Sequence, residues 1–117
     1  MLVAENGSSA RSSLADLLRC EGHCVFEAQD RGEAIAFIEA NPDLRVVLVD
    51  LYMRECASII QHAQLKLPQA FVVGMGAWDF TPARFRSSAT DLCLAKPLVF
   101  EDVRTAIDNY LTGTTKK

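Results

Sequence analysis

Apolar and polar positions along the chain switch between strand-like and helix-like periods, and the switch repeats five times. Leu2, Val3 and Ala4 make a short apolar opening. Asn6, Gly7, Ser8 and Ser9 follow as a turn, where a serine is expected to cap the next helix. Leu14, Leu17 and Leu18 then recur at helical spacing, and Gly22 closes that helix. Residues 23–28, with Val25 and Phe26, predict a second strand. Asp30 followed by Glu33 reads as a capping box with Asp in place of the usual Ser or Thr. Ala34, Phe37 and Ile38 supply the buried stripe of that helix, and Asn41 before Pro42 ends it.

The clearest element is residues 45–50. Val46, Val47, Leu48 and Val49 are consecutive aliphatics, which suit a central parallel strand covered by helices on both faces. Ala57, Ile60, Ala63, Gln64 and Leu67 give a weaker helical stripe, and residues 70–74 a fourth strand. Thr81 and Pro82 form a helix start, cap followed by proline. Residues 91–95 predict the fifth strand; Val103, Ala106, Ile107, Tyr110 and Leu111 predict the apolar face of a final helix.

Repeated strand–helix units require right-handed crossovers, which place helices on both faces of a parallel sheet. The expected class is therefore α/β: a doubly wound, flavodoxin-like sheet of five parallel strands in the order 2-1-3-4-5. Residues 1–112 form the domain and residues 113–117 a polar tail. In such sheets chemistry gathers at the carboxyl ends of the strands, near the switch point. Those ends carry Glu5 and Asn6, then Asp50 to Tyr52, the glycine-rich residues 74–77, and Lys96 with Pro97.

Composition narrows the function classes. A chain of 117 residues, 50% hydrophobic, suits one domain with a real core. A net charge of −3 provides no basic stripe for nucleic acid. No run is long enough to span a bilayer and the start does not read as a signal peptide, so a cytoplasmic location without membrane contact is expected. Four cysteines in that setting are expected to be free thiols. Cys20, His23 and Cys24 invite a zinc reading, but their spacing fits no standard site.

A carboxylate held beside a lysine and further oxygen ligands is a plausible phosphoryl acceptor, with magnesium bridging protein and phosphate oxygens. Three motifs then carry a resemblance: residues 3–6 ending in Glu5 and Asn6, residues 46–50 ending in Asp50, and residues 94–97 containing Lys96-Pro97. With these the whole chain resembles a receiver domain of the CheY-like, response-regulator kind. The resemblance implies that Asp50 is the phosphoacceptor and that Lys96 contacts the phosphoryl group. It further implies that Glu5, Asn6, Asp50 and the Tyr52 carbonyl surround magnesium, and that the Lys96–Pro97 peptide is cis. A histidine kinase or phosphotransfer protein would be the donor, and an output domain or partner protein the recipient.

The departures point to an atypical member. Asn6 stands where the family usually has a second acid, so magnesium binding is expected to be weak. Gly76 stands where a Ser or Thr hydroxyl contacts the phosphoryl group, and Cys93 where a Tyr or Phe swings inward. The stretch after Asp50 lacks the usual Pro-Gly turn. The alternative is thus a pseudo-receiver, a protein-interaction module that does not switch by phosphorylation. A phosphate cradle for a flavin or nucleotide, built from residues 6–13, lacks a supporting fingerprint. Trp78 and Phe80 are expected in a loop as a partner surface, and Phe85 in the core.

Overall fold

The computed structural model describes residues 1–77 and 90–113. The elements run β1 (Leu2–Ala4), α1 (Ser8–Cys20), β2 (Phe26–Ala28), α2 (Arg31–Ala40), β3 (Val46–Asp50), α3 (Cys56–Lys66), β4 (Phe71–Ala77), β5 (Leu92–Lys96) and α4 (Phe100–Leu111). All strand pairs are parallel, in the order β2-β1-β3-β4-β5. The expected doubly wound architecture is the one observed. The helix expected from Thr81 lies outside the described residues, as do Trp78, Phe80 and Phe85.

The pleat of β3 explains the two-sided core. Val47 and Val49 face a cluster with Leu2, Ala4, Ala34, Ile38, Ile59, Ile60 and Ala63, from α2, α3 and the sheet. Val46 and Leu48 face the opposite cluster, with Leu14, Leu18, Phe71, Val73, Met75, Val103 and Ile107, which brings in α1 and α4. Alternate side chains of a strand point to opposite faces, so an unbroken aliphatic run is what a two-sided burial demands. Every residue of β3 is buried.

Four local expectations need correction. The second strand covers only Phe26–Ala28. Residues 23–25 are used to close α1 instead: the His23 amide donates to Leu18 C=O at 3.2 Å, and the Arg19 guanidinium donates to Val25 C=O at 2.7 Å. No serine caps α1. Its N-cap is Gly7, whose own amide donates to Glu5 Oε2 at 3.2 Å. On α3 the stripe turns toward Ile59, Ile60, Ala63 and Leu67, while Ala57 is exposed, because the helix begins only after Glu55. Leu111, at the end of α4, is exposed.

The capping box expected at α2 forms in half: the N-cap Asp30 takes the Glu33 amide, but the Glu33 carboxylate takes the amide of Gln29, one residue before the cap. The Glu33 amide donates to Asp30 Oδ1 and the Gln29 amide to Glu33 Oε1, each at 2.9 Å. Asp30→Ala frees one of these amides and is expected to lower unfolding free energy by about 1 kcal/mol. Chemical denaturation of the two proteins checks this; an unchanged midpoint would show that Glu33 alone holds the turn.

Candidate functional site at the carboxyl ends of the strands

The strand order puts β1 and β3 side by side, with the chain leaving β1 toward one edge and β3 toward the other. The residues that end these strands therefore border the crevice between diverging connections. Asp50 ends β3 and Glu5 follows β1, and at 4% and 5% exposure they are the buried charged residues among those described. Lys96 ends β5 and reaches back across the sheet. Its ammonium lies 2.8 Å from Glu5 Oε1 and 3.1 Å from Asp50 Oδ1. The Lys96–Pro97 peptide bond is cis.

Two buried carboxylates so close together require a counter-charge, and Lys96 provides one. Burial works against the ammonium, but its hydrogen bonds to Glu5 and Asp50 and their charges outweigh burial and hold Lys96 above its ordinary pKa. Two carboxylates against one ammonium leave the pocket with one net negative charge.

The backbone completes the arrangement. The Tyr52 amide donates to Asp50 Oδ1 at 3.0 Å. Among the described residues, every hydrogen bond to the Asp50 carboxylate thus falls on Oδ1. Both oxygens of Glu5 are engaged, Oε1 by Lys96 and Oε2 by the Gly7 amide. That second contact places a carboxylate at the start of α1, where a phosphate cradle would need the amide itself. The Arg11 guanidinium, on α1, holds the Glu5 carbonyl at 3.1 Å and Glu27 Oε1 at 3.3 Å. Nothing in the sequence marks Arg11, since an arginine on the first turns of a helix carries no signal of its own.

The remaining site residues lie as follows. Asn6 is exposed and its amide nitrogen donates to Gln29 C=O at 3.5 Å, so it does not join the Glu5–Asp50–Lys96 cluster through a hydrogen bond. The Tyr52 side chain is 58% exposed, at the rim. Gly76 is buried in β4 opposite Ala95, and Cys93 is exposed in β5 opposite Gly74. Cys20, Cys24, Cys56 and Cys93 are free thiols. Among the described residues no cluster of three or more His, Cys, Asp or Glu side chains is placed to hold a metal ion, including the Cys20–His23–Cys24 stretch. Nor is any described helix long and apolar enough to cross a membrane.

Comparison with known proteins separates sequence from structure. No family model and no curated protein matches the sequence. Solved structures do match. One is a two-component system response regulator/GGDEF domain protein, with a TM-score of 0.85 and 26% identity. The match covers 96% of this chain and 48% of that one, so the chain spans about half its length. The receiver domain from the hybrid histidine kinase CckA aligns with a TM-score of 0.79 and 24% identity, over 94% of this chain and 96% of that one. A response regulator protein from Burkholderia pseudomallei, with a phosphorylated aspartic acid, calcium ion and citrate, aligns with a TM-score of 0.78 and 21% identity. There the match covers 97% of this chain and 69% of the other.

Proposed function

We propose that this chain, whose fold is that of a response-regulator receiver domain, serves as a receiver in two-component signalling. In this reading Asp50 accepts a phosphoryl group from the phosphohistidine of a histidine kinase or phosphotransfer protein. One observation carries the reading: a buried carboxylate has one oxygen fixed by Lys96 and the Tyr52 amide, while no described hydrogen bond falls on the other. Asp50 Oδ2 attacks phosphorus, an O–P bond forms, and the P–N bond to the donor imidazole breaks. The leaving nitrogen keeps the electron pair and takes a proton, and Asp50 becomes an acyl phosphate. Lys96 is a point charge on the transferred oxygens.

A hard divalent cation fits this donor chemistry in part. Glu5 and Asp50 offer carboxylate oxygens, and Asn6 and the Tyr52 carbonyl neutral ones. Such an ion would offset charge on the phosphoryl oxygens. Lys96 already neutralises one of the two carboxylates and Asn6 adds no charge, so magnesium binding is weak in this reading. The structurally similar Burkholderia protein has a phosphorylated aspartic acid and a calcium ion, which supports both the phosphoacceptor and the divalent-ion parts of this reading.

Residues 1–112 act as the receiver unit and 113–117 as a polar tail, in the cytoplasm, with an output domain or partner protein reading the state of Asp50. A second reading has a specific observation behind it. Gly76 is buried in β4 without a side chain, so no hydroxyl at that position couples a phosphoryl group to the residues beyond β4. The domain would then be a pseudo-receiver that binds partners irrespective of phosphate, as a ligand without differential contacts shifts no equilibrium. Incubation with acetyl phosphate and magnesium, followed by intact-mass measurement, separates the two. The first reading predicts a gain of one phosphoryl group; an unchanged mass favours the second.

A further inference from the structure

Gly74 is shaped to the residue that follows Asp50. A methyl group built on Gly74 would lie 3.1 Å from both Cδ atoms of Leu51 and 3.3 Å from its Cγ. The Leu51 side chain thus fills the notch that the missing side chain leaves in β4, and it is only 5% exposed there. Its backbone is held as well. The Leu51 amide donates to Met75 C=O at 2.8 Å, extending the β3–β4 ladder one residue past Asp50. The Cys56 thiol donates to the Leu51 carbonyl at 3.4 Å. Burial and the nearby Asp50 charge push that thiol's pKa up, so it remains protonated and able to donate.

Leu51 is therefore gripped at its amide, its carbonyl and its side chain. The residues on either side of it make the turn that matters. The Tyr52 amide donates to Asp50 Oδ1 and the Met53 amide to the Asp50 carbonyl at 3.1 Å. Leu51 cannot shift without rotating the peptides that connect the Asp50 carboxylate to its Tyr52 donor.

We infer that Leu51, seated in the notch at Gly74, is a positioning residue that aims the Asp50 carboxylate at Lys96. Its effect on phosphoryl chemistry rests on the reading of Asp50 as the acceptor. The aim itself does not.

The test uses wild type, Gly74→Ala, Leu51→Ala and the double variant, in two measurements. The first is the Tyr52 amide proton shift in the protein alone, which reports the hydrogen bond to Asp50. The second is the affinity for beryllofluoride with magnesium, followed by amide NMR. In Gly74→Ala the new methyl drives Leu51 aside by a few tenths of an ångström. The Tyr52 amide is expected to move upfield and beryllofluoride affinity to fall about tenfold, since small misplacements of reacting groups are costly. Leu51→Ala loosens the same turn. The double variant removes the clash and refills part of the notch, so it is expected to recover both readouts relative to Gly74→Ala.

A Tyr52 shift unchanged in Gly74→Ala overturns the inference. So does a set of affinities that simply follows the melting temperatures, with the double variant no better than either single one. Should the wild type itself ignore beryllofluoride, the acceptor reading falls, and the Tyr52 shift still decides whether Leu51 aims Asp50.

Discussion

Asp50→Asn is expected to abolish phosphoryl uptake altogether while leaving the domain folded. The amide lacks the charge and nucleophilicity of a carboxylate, so no acyl phosphate forms. Its carbonyl oxygen can nevertheless accept from the Tyr52 amide as Oδ1 does, and Lys96 keeps its partner Glu5. A neutral group at residue 50 also removes one of two negative charges buried side by side. The expected change in unfolding free energy is about 1 kcal/mol or less in either direction, the size of a hydrogen bond exchanged rather than lost. Intact mass after acetyl phosphate, beside a denaturation curve, checks both halves. Labelling that survives in Asp50→Asn would move the acceptor elsewhere.

Lys96→Met is expected to be the most destabilising of these changes. The methionine stem replaces the aliphatic part of lysine, but Glu5 and Asp50 are left without their shared counter-charge. Breaking a fully buried ion pair costs about 3–5 kcal/mol. The Lys96 side chain retains 26% exposure, so water screens part of this, and a loss of about 2–3 kcal/mol is expected. The dependence on pH follows from the raised pKa of Lys96. A group whose pKa rises on folding stabilises fully below its unfolded value of 10.5, and its contribution fades as pH climbs through the higher folded value. The deficit of Lys96→Met should therefore stay level across neutral and mildly alkaline pH and shrink only in strong alkali. Denaturation curves at a series of pH values show this directly. A deficit that vanishes at neutral pH would mean that the ion pairs add nothing to stability.

The fold was legible because its strongest signal is also its physical cause. The unbroken aliphatic run of β3 has no half-exposed solution, and two-sided burial of that strand brings helices to both faces. Boundaries were less legible where a side chain took over a backbone partner. Nothing in residues 23–25 announces that Arg19 will claim the Val25 carbonyl. The first serines looked like caps, yet Glu5 reached the Gly7 amide, a choice set by where β1 ends rather than by local preference. At the site, the Glu5–Asp50–Lys96 cluster was readable from positions at strand ends. Asn6 was expected beside them, and its amide instead bonds to Gln29. The fit of Leu51 to Gly74 left no trace in sequence, because a glycine in a strand reads the same whatever fills the space above it.

A working acceptor pocket needs Asp50, Lys96 and the end of β4 to act together. Amide NMR of the isotope-labelled domain with magnesium, before and after beryllofluoride, tests it most directly. The prediction is a set of shifts centred on Asp50, Lys96 and residues 74–77, absent in Asp50→Asn. No response to either reagent at millimolar concentration would contradict it and leave a docking module with a lysine-clamped, inert carboxylate.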